Sequence, residues 1–161
     1  MRDQIVRLLP ALGPALIVVA LLIAMRGAPR LRIQIDPETL VVTMLGRDAL
    51  FCCRRQIAMP VGAVAGVCVS RRDFVPAEGL RLPGTSMGRV IRAGSFGTGD
   101  ARDFWDVRGA ETVLVIECKA GAAEYRRLVL QVPDAYEQAL KLRPVLGAVA
   151  MPLAPAFPTA L

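Results

Sequence analysis

An uninterrupted apolar stretch near the amino terminus constrains this chain most. No charged residue interrupts the eighteen positions from Leu8 to Met25, whereas Arg7 precedes the stretch and Arg26 follows it. As an α-helix, eighteen residues rise about 27 Å, which is close to the ~30 Å hydrocarbon thickness of a bilayer. The sequence therefore predicts a transmembrane helix, and residues 1–29 form the predicted anchor.

A positively charged start before an apolar stretch also describes a secretory signal peptide. A cleavage site needs small residues at two positions, and Met25, Arg26 and Pro29 interrupt the pairs of Ala and Gly near the end of the stretch. We therefore favour a retained, single-pass anchor. A cleaved signal peptide and a buried core helix are the alternatives.

The positive charge of the chain is concentrated beside this stretch. The formal net charge is +6, and five arginines against Asp3 place +4 within the first 32 residues. Basic residues next to an apolar stretch suit anionic lipid headgroups, where each contributes about 1 kcal/mol, better than they suit a DNA-binding face. The predicted partner is a membrane, and no nucleic acid is expected.

Two features bear on the side of the membrane that the rest of the chain occupies. Arginines lie on both sides of the apolar stretch, with a slight excess on its C-terminal side, and positive residues prefer the cytoplasm. The cysteines show no spacing typical of a metal site or a disulfide framework, which suits a reducing compartment. We expect a cytoplasmic domain with four unpaired thiols: Cys52, Cys53, Cys68 and Cys118.

The chain contains no histidine, which excludes imidazole-based catalysis, a Ser-His-Asp arrangement and His/Cys zinc sites. Five acidic residues between positions 100 and 117 could offer oxygens to Mg²⁺ or Ca²⁺, but they lack the spacing of a metal-binding loop. We expect no metal, no cofactor and no enzymatic activity. The alternative is a secreted or periplasmic β-domain that uses these carboxylates as an enzyme.

Beyond the anchor, the hydrophobic pattern changes to the alternation of short β-strands. Leu31, Ile33 and Ile35 alternate with polar residues, as in a strand with one buried face. Similar segments follow at short spacing, separated by turns that contain glycine, which indicates a mainly β barrel or sandwich. The predicted extended segments are residues 31–35, 39–45, 49–59, 61–70, 89–96, 102–107, 112–118 and 124–132, with a loop at 71–87.

One helix is predicted to close the domain. Asp134 is a plausible N-cap, and Glu137 follows three residues later as in a capping box. Apolar residues recur at helical spacing from there to Arg143. Residues 145–161 are rich in Pro and Ala and are expected to form a loosely ordered tail.

A family resemblance rests on the segment RLPGTSMG from Arg81 to Gly88, followed by AGSF from Ala93 to Phe96. This pattern resembles bacterial pleckstrin-homology-like (PH-like) domains, which carry an R-x-x-G…G-x-F/Y segment. The resemblance spans roughly residues 31–143. It implies a partly open β-barrel of about seven strands at residues 30–144, capped by one C-terminal helix, and it brings no catalytic residues.

Two sets of residues are candidate contacts. A barrel could gather a group of arginines at one mouth as a phosphate-binding cluster, although such residues also serve as solvated charges that protect strand edges. Trp105 could face outward at an interface or at the lipid headgroups, although core packing is the alternative. The arginines are Arg71, Arg72, Arg81, Arg89 and Arg92.

The sequence thus predicts a membrane-anchored, non-enzymatic module that binds protein or lipid at the membrane surface. Its expected partners are anionic lipid headgroups or a membrane protein. An accessory subunit of a membrane complex is a further alternative.

Overall fold

The structure is a computed structural model, and it describes residues 29–75, 81–87, 91–146 and 149–150. Within these ranges the chain is mainly β and carries a helix near its C-terminal end, as the sequence predicts. No helix in this part of the chain is long and apolar enough to cross a bilayer. Residues 1–28 of the predicted anchor (1–29) and residues 151–161 at the end of the predicted tail lie outside the described residues.

The first three strands form a small antiparallel sheet in chain order. They are β1 (Leu31–Asp36), β2 (Thr39–Met44) and β3 (Gln56–Pro60). A short helix, α1 (Arg47–Phe51), joins β2 to β3. The prediction of one strand over 49–59 is therefore wrong in its first half, because Gly46 turns the chain with a left-handed φ of 59° and a helix follows.

The remaining strands form a second, seven-stranded sheet with the order β10-β4-β8-β9-β7-β6-β5. Pairing is parallel between β7 and β9 and between β4 and β10, and antiparallel between the other neighbours. The strands are β4 (Val64–Arg71), β5 (Arg81–Met87), β6 (Ile91–Phe96), β7 (Asp103–Arg108), β8 (Thr112–Cys118), β9 (Arg127–Leu130) and β10 (Val149–Ala150).

This topology refines the predicted architecture in three ways. The described residues contain ten strands, and both sheets are open. Strand β5 occupies the C-terminal part of the segment predicted as a loop. Strand β9 inserts between β7 and β8, so that consecutive strands are not always neighbours. Local patterns predicted the strands well, but not which strands pair.

The large sheet is buried on both faces, and β8 shows why. Leu114 and Ile116 point into the core that lies against the small sheet, whereas Val113 and Val115 point into a second apolar cluster on the opposite face. Because side chains alternate along a strand, a strand between two apolar layers must be apolar at nearly every position. Strand β8 is continuously apolar from Val113 to Ile116 for this reason.

The C-terminal helix α2 (Ala135–Leu146) packs against β4 and β8. The predicted N-cap is confirmed, since the Glu137 N–H donates to Asp134 Oδ1 at 2.8 Å. Near the other end, Arg143 Nε donates to the carbonyl of Val67 in β4 at 2.9 Å. The helix continues beyond Arg143 and includes Pro144, so its end lies three residues later than predicted.

Candidate functional site

The sheet register separates the predicted arginine cluster. Arg71 ends β4 and Arg92 lies in β6, four steps apart in the strand order, which is about 19 Å at a strand spacing of about 4.8 Å. Arg81 pairs with Phe96, four residues along β6 from Arg92, so roughly 13 Å of strand separates Arg81 from the level of Arg92.

The predicted arginines that the structure describes make contacts within the domain. The guanidinium of Arg71 lies 5.6 Å from the centre of the Phe74 ring, and that of Arg92 lies 5.1 Å from the Trp105 ring. The backbone of Arg72 donates to the carbonyl of Glu111 at 2.7 Å. These contacts favour a packing role. Arg89 lies outside the described residues, and binding by any of the five stays a prediction.

Trp105 is completely buried, so of the two placements that the sequence left open for its ring, the structure shows core packing. Its indole belongs to the second apolar cluster and meets Phe96 edge to face, with ring centroids 6.5 Å apart. The neighbouring Phe104 points to the opposite face and is equally buried. Sequence alternation predicted the two directions correctly, but it could not show that the second face of the sheet is also covered.

Asp103 and Asp106 lie on opposite faces of β7, as their spacing predicts. Asp103 is buried and holds β9 against β7 through two arginines. Arg126 Nε donates to its Oδ1 at 3.1 Å, and Arg127 Nη2 lies 2.7 Å from its Oδ2. This carboxylate is structural. Among the described residues, no group of acidic or cysteine side chains is arranged to hold a metal ion.

On the other face of β7, a buried group of charged residues lies beneath α1. Asp48 Oδ1 accepts a hydrogen bond from Arg108 Nη2, and both side chains are almost fully buried. Asp48 Oδ2 accepts the backbone N–H of Arg30. The Arg108 guanidinium lies 4.7 Å from the centre of the Phe51 ring. The Asp48–Arg108 pair therefore ties α1 to both the first described residues and β7.

Asp106 lies next to this pair and shares Arg108 with Asp48. Burial, and secondarily the negative charge of Asp48, raise the pKa of Asp106 to about 7. Arg108 and the Cys52 thiol favour the charged form, but neither effect outweighs burial. Within the described part of the chain, neither carboxylate oxygen has a partner that meets hydrogen-bond geometry. Among the buried carboxyl groups that the structure describes, Asp106 is thus the one whose negative charge is stabilised least by neighbouring groups.

Cys52 lies beside Asp106 and is not a reactive thiol. Burial, followed by the charge of Asp106, raises its pKa far above the usual range. A thiol that stays protonated is a poor nucleophile. Cys68 and Cys118 are also buried and free, as predicted, whereas Cys53 is exposed. The charged residues beneath α1 are therefore part of the interior of the fold, and the Cys52 thiol beside them does not act as a nucleophile.

The outer side of α1 carries an exposed patch, which we call the α1 surface and define as Leu45, Arg47, Leu50 and Arg55. Leu50 is 78% exposed and Leu45 is 37% exposed. Leu45, Leu50 and Arg55 line a shallow depression of about 380 Å³. The Leu45 N–H donates to the carbonyl of Arg30 at 2.8 Å, so this surface adjoins the point where the described chain begins.

Sequence reasoning missed both features around α1. Asp48 and Arg108 are 60 residues apart, and no local pattern pairs them. Leu50 belongs to an apolar segment that predicts a strand, so its exposure could not be expected. The available signal was weak: Asp48 is the only acidic residue between two groups of arginine, at Arg47 and at Arg54 and Arg55.

Comparison with known proteins adds no family to this description. The chain matches no protein-family model, and neither a curated protein nor a solved structure shows significant similarity to it.

Proposed function

We propose that this chain is a membrane-anchored, non-enzymatic interaction module, in which the apolar stretch holds the mainly β domain at the bilayer surface. The observation that carries the proposal is the fixed start of the domain. The Arg30 carbonyl accepts the N–H of Leu45, two residues before α1, and the Arg30 N–H donates to Asp48 within α1. Pro29 before it is buried. The domain is thus held firmly within a few residues of the apolar stretch.

The length of the connection between the apolar stretch and the domain limits the distance between the domain and the membrane. Only three residues lie between Met25, the end of the apolar stretch, and Pro29. Fully extended, the four steps from Met25 to Pro29 span at most about 14 Å. A domain on so short a connection stays at the surface, where tethering raises its effective concentration toward lipid headgroups and membrane proteins. Modest intrinsic affinity for such partners would therefore suffice.

The placement of the unusual titratable groups supports binding rather than catalysis. Asp106 and Cys52 have the most strongly raised pKa values among the described acidic residues and thiols, and both are buried beneath α1. Catalytic groups need access to a substrate, usually in a cleft. The interior position of these two groups suits a structural role.

The PH-like assignment is part of this proposal. The order of short strands followed by one C-terminal helix supports it. The open sheets and the parallel pairing of β7 with β9 weigh against a simple closed barrel. A cytoplasmic position of the domain is likewise proposed, and it is supported by four cysteines that form no disulfide.

Cell fractionation with cysteine labelling tests the proposal on the full chain. Cys53 is the exposed thiol, so an impermeant maleimide should label it only after cells are lysed if the domain is cytoplasmic. The intact mass should show the complete chain in the membrane fraction after a carbonate wash, and Cys53→Ser supplies the labelling background. Release by carbonate, or loss of the first 25 or so residues, would overturn membrane anchoring.

A further inference from the structure

We propose that the α1 surface docks onto an anionic lipid bilayer, so that the domain lies with α1 against the membrane that anchors it. This inference rests on the proposed membrane anchoring and goes beyond it by naming the contacting face and the lipid chemistry. Three observations carry it: exposed apolar side chains, the sign of the surrounding charge, and the position of α1 relative to the start of the domain.

The apolar part of the surface is unusual for a short surface helix. Leu50 is more exposed than any other large hydrophobic residue that the structure describes. It lies beside Leu45 at the rim of the depression, while the opposite side of α1 faces the buried Asp48–Arg108 pair. Exposed aliphatic residues next to basic ones are typical of protein surfaces that lie in a membrane interface.

The charge around these leucines is positive. Arg47 and Arg55 belong to the surface, and Arg30 and Arg32 are exposed near it on the segment that leads from the anchor. The segments 29–35 and 44–55 together contain one acidic residue, Asp48. Its side chain is buried against Arg108. An anionic headgroup layer is therefore attracted to the exposed arginine side chains of this surface.

The position of α1 brings this surface to the bilayer. The headgroup region of one leaflet is about 5–8 Å thick, whereas the chain from Met25 to Pro29, four residues further on, spans at most about 14 Å. Because the Arg30 carbonyl accepts the N–H of Leu45, the α1 surface adjoins the point where the segment from the anchor enters the domain. The acidic Asp36 lies at the opposite end of β1.

A second exposed apolar site provides the contrast. Leu140 on α2 is 67% exposed, and Tyr136 lies near it at 56%. This site has an acidic neighbour in Glu137, and it lies on α2, which packs against β4 and β8. Leu140 is therefore a matched control for Leu50: an exposed leucine on a helix, in a setting where the neighbouring base, Lys141, is paired with Glu137.

The native Cys53 thiol reports on the α1 surface, since its Sγ lies 3.6 Å from the carbonyl of Leu50. The full chain is labelled there with an environment-sensitive fluorophore and reconstituted into phosphatidylcholine vesicles with or without phosphatidylglycerol. We expect a blue shift, and quenching by lipids spin-labelled near the headgroup, when phosphatidylglycerol is present. Leu50→Glu should weaken docking by roughly tenfold or more, and Leu140→Glu should leave it unchanged.

Charge reversal tests the electrostatic part. Arg55→Glu should reduce the quenching and remove its dependence on phosphatidylglycerol, whereas Arg71→Glu, at the far end of β4, should not. An equal effect of the Arg71 variant would overturn the assignment to α1 and favour the arginines predicted from the sequence. Both arginines are exposed, and an unchanged unfolding midpoint confirms that the variants fold.

The outcomes separate this inference from the proposed function. A chain that floats with vesicles and shows quenching sensitive to Leu50→Glu supports both. A chain that floats but shows no quenching, or the same quenching in every variant, keeps the anchor and overturns docking by α1; a protein partner would then be sought for the exposed surface. A chain that does not float overturns both.

Discussion

The buried carboxyl of Asp106 should make this domain less stable as the pH rises. Its pKa is raised from an ordinary value of 3.8 to about 7, chiefly by burial and then by the charge of Asp48. The folded state therefore holds a proton that the unfolded chain has already released. Where the unfolded state binds fewer protons, the free energy of unfolding falls with increasing pH. The stabilisation is complete below pH 4 and is lost as the pH rises toward 7.

The magnitude follows from the size of the shift. About three pH units at about 1.4 kcal/mol each give a loss of roughly 4 kcal/mol between pH 4 and pH 7. That is a large part of the 5–15 kcal/mol that stabilises a typical domain. Above pH 7 no further loss from Asp106 is expected, because both states are then ionised. When Asp106 is deprotonated, it and Asp48 are two buried carboxylates that share the positive charge of Arg108.

Asp106→Asn isolates this contribution, because the amide keeps the shape of the side chain and cannot ionise. Urea unfolding of the full chain in mild detergent, from pH 4.5 to pH 8, gives the free energy of unfolding for each variant. The wild-type curve should fall relative to the Asn variant by several kcal/mol. Asp100→Asn is the control, since Asp100 is exposed. Parallel curves for wild type and Asp106→Asn would refute the reasoning.

Three further outcomes are expected. Under native conditions a maleimide should modify Cys53 alone, and the three buried cysteines should react only after unfolding, as intact mass would show; early reaction of a second thiol would contradict the buried positions. Asp103→Ala should lower the free energy of unfolding by about 2 kcal/mol, because Arg126 and Arg127 lose a buried partner, and urea titration measures the loss. Asp134→Ala should cost about 1 kcal/mol in the same assay, since the cap of α2 disappears, and no change would argue against the cap.

Local signals predicted the elements whose stability is local. The alternation from Leu31 to Ile35 corresponds to β1, and the apolar run from Thr112 to Cys118 coincides with β8. The capping pattern at Asp134 locates the start of α2. These features arise within a few residues, through side-chain alternation and a single side-chain hydrogen bond. A single sequence contains that information directly.

Strand pairing was not predictable in the same way. Strand β9 lies parallel to β7 because Asp103 meets Arg127 across the ladder, and this pairing joins residues 24 positions apart. The burial of Trp105 depends on a second apolar layer to which Phe96 and Val113 contribute from other strands. Both facts concern which strands become neighbours. Alternation within one strand gives the direction of a side chain, but not what it meets.

The same reasoning explains why the sequence could not show where the predicted arginines lie relative to one another. Arg71 and Arg92 bracket a loop in the sequence, and only the strand order shows that they lie several strands apart. The α1 surface is a consequence of tertiary structure instead. Asp48 takes part in a buried ion pair with Arg108, which fixes the inner side of a five-residue helix that would be too short to form alone. Once that side is fixed, Leu50 must point outward and away from the core. The exposure of Leu50 is thus a consequence of the buried Asp48–Arg108 ion pair, which fixes the orientation of α1.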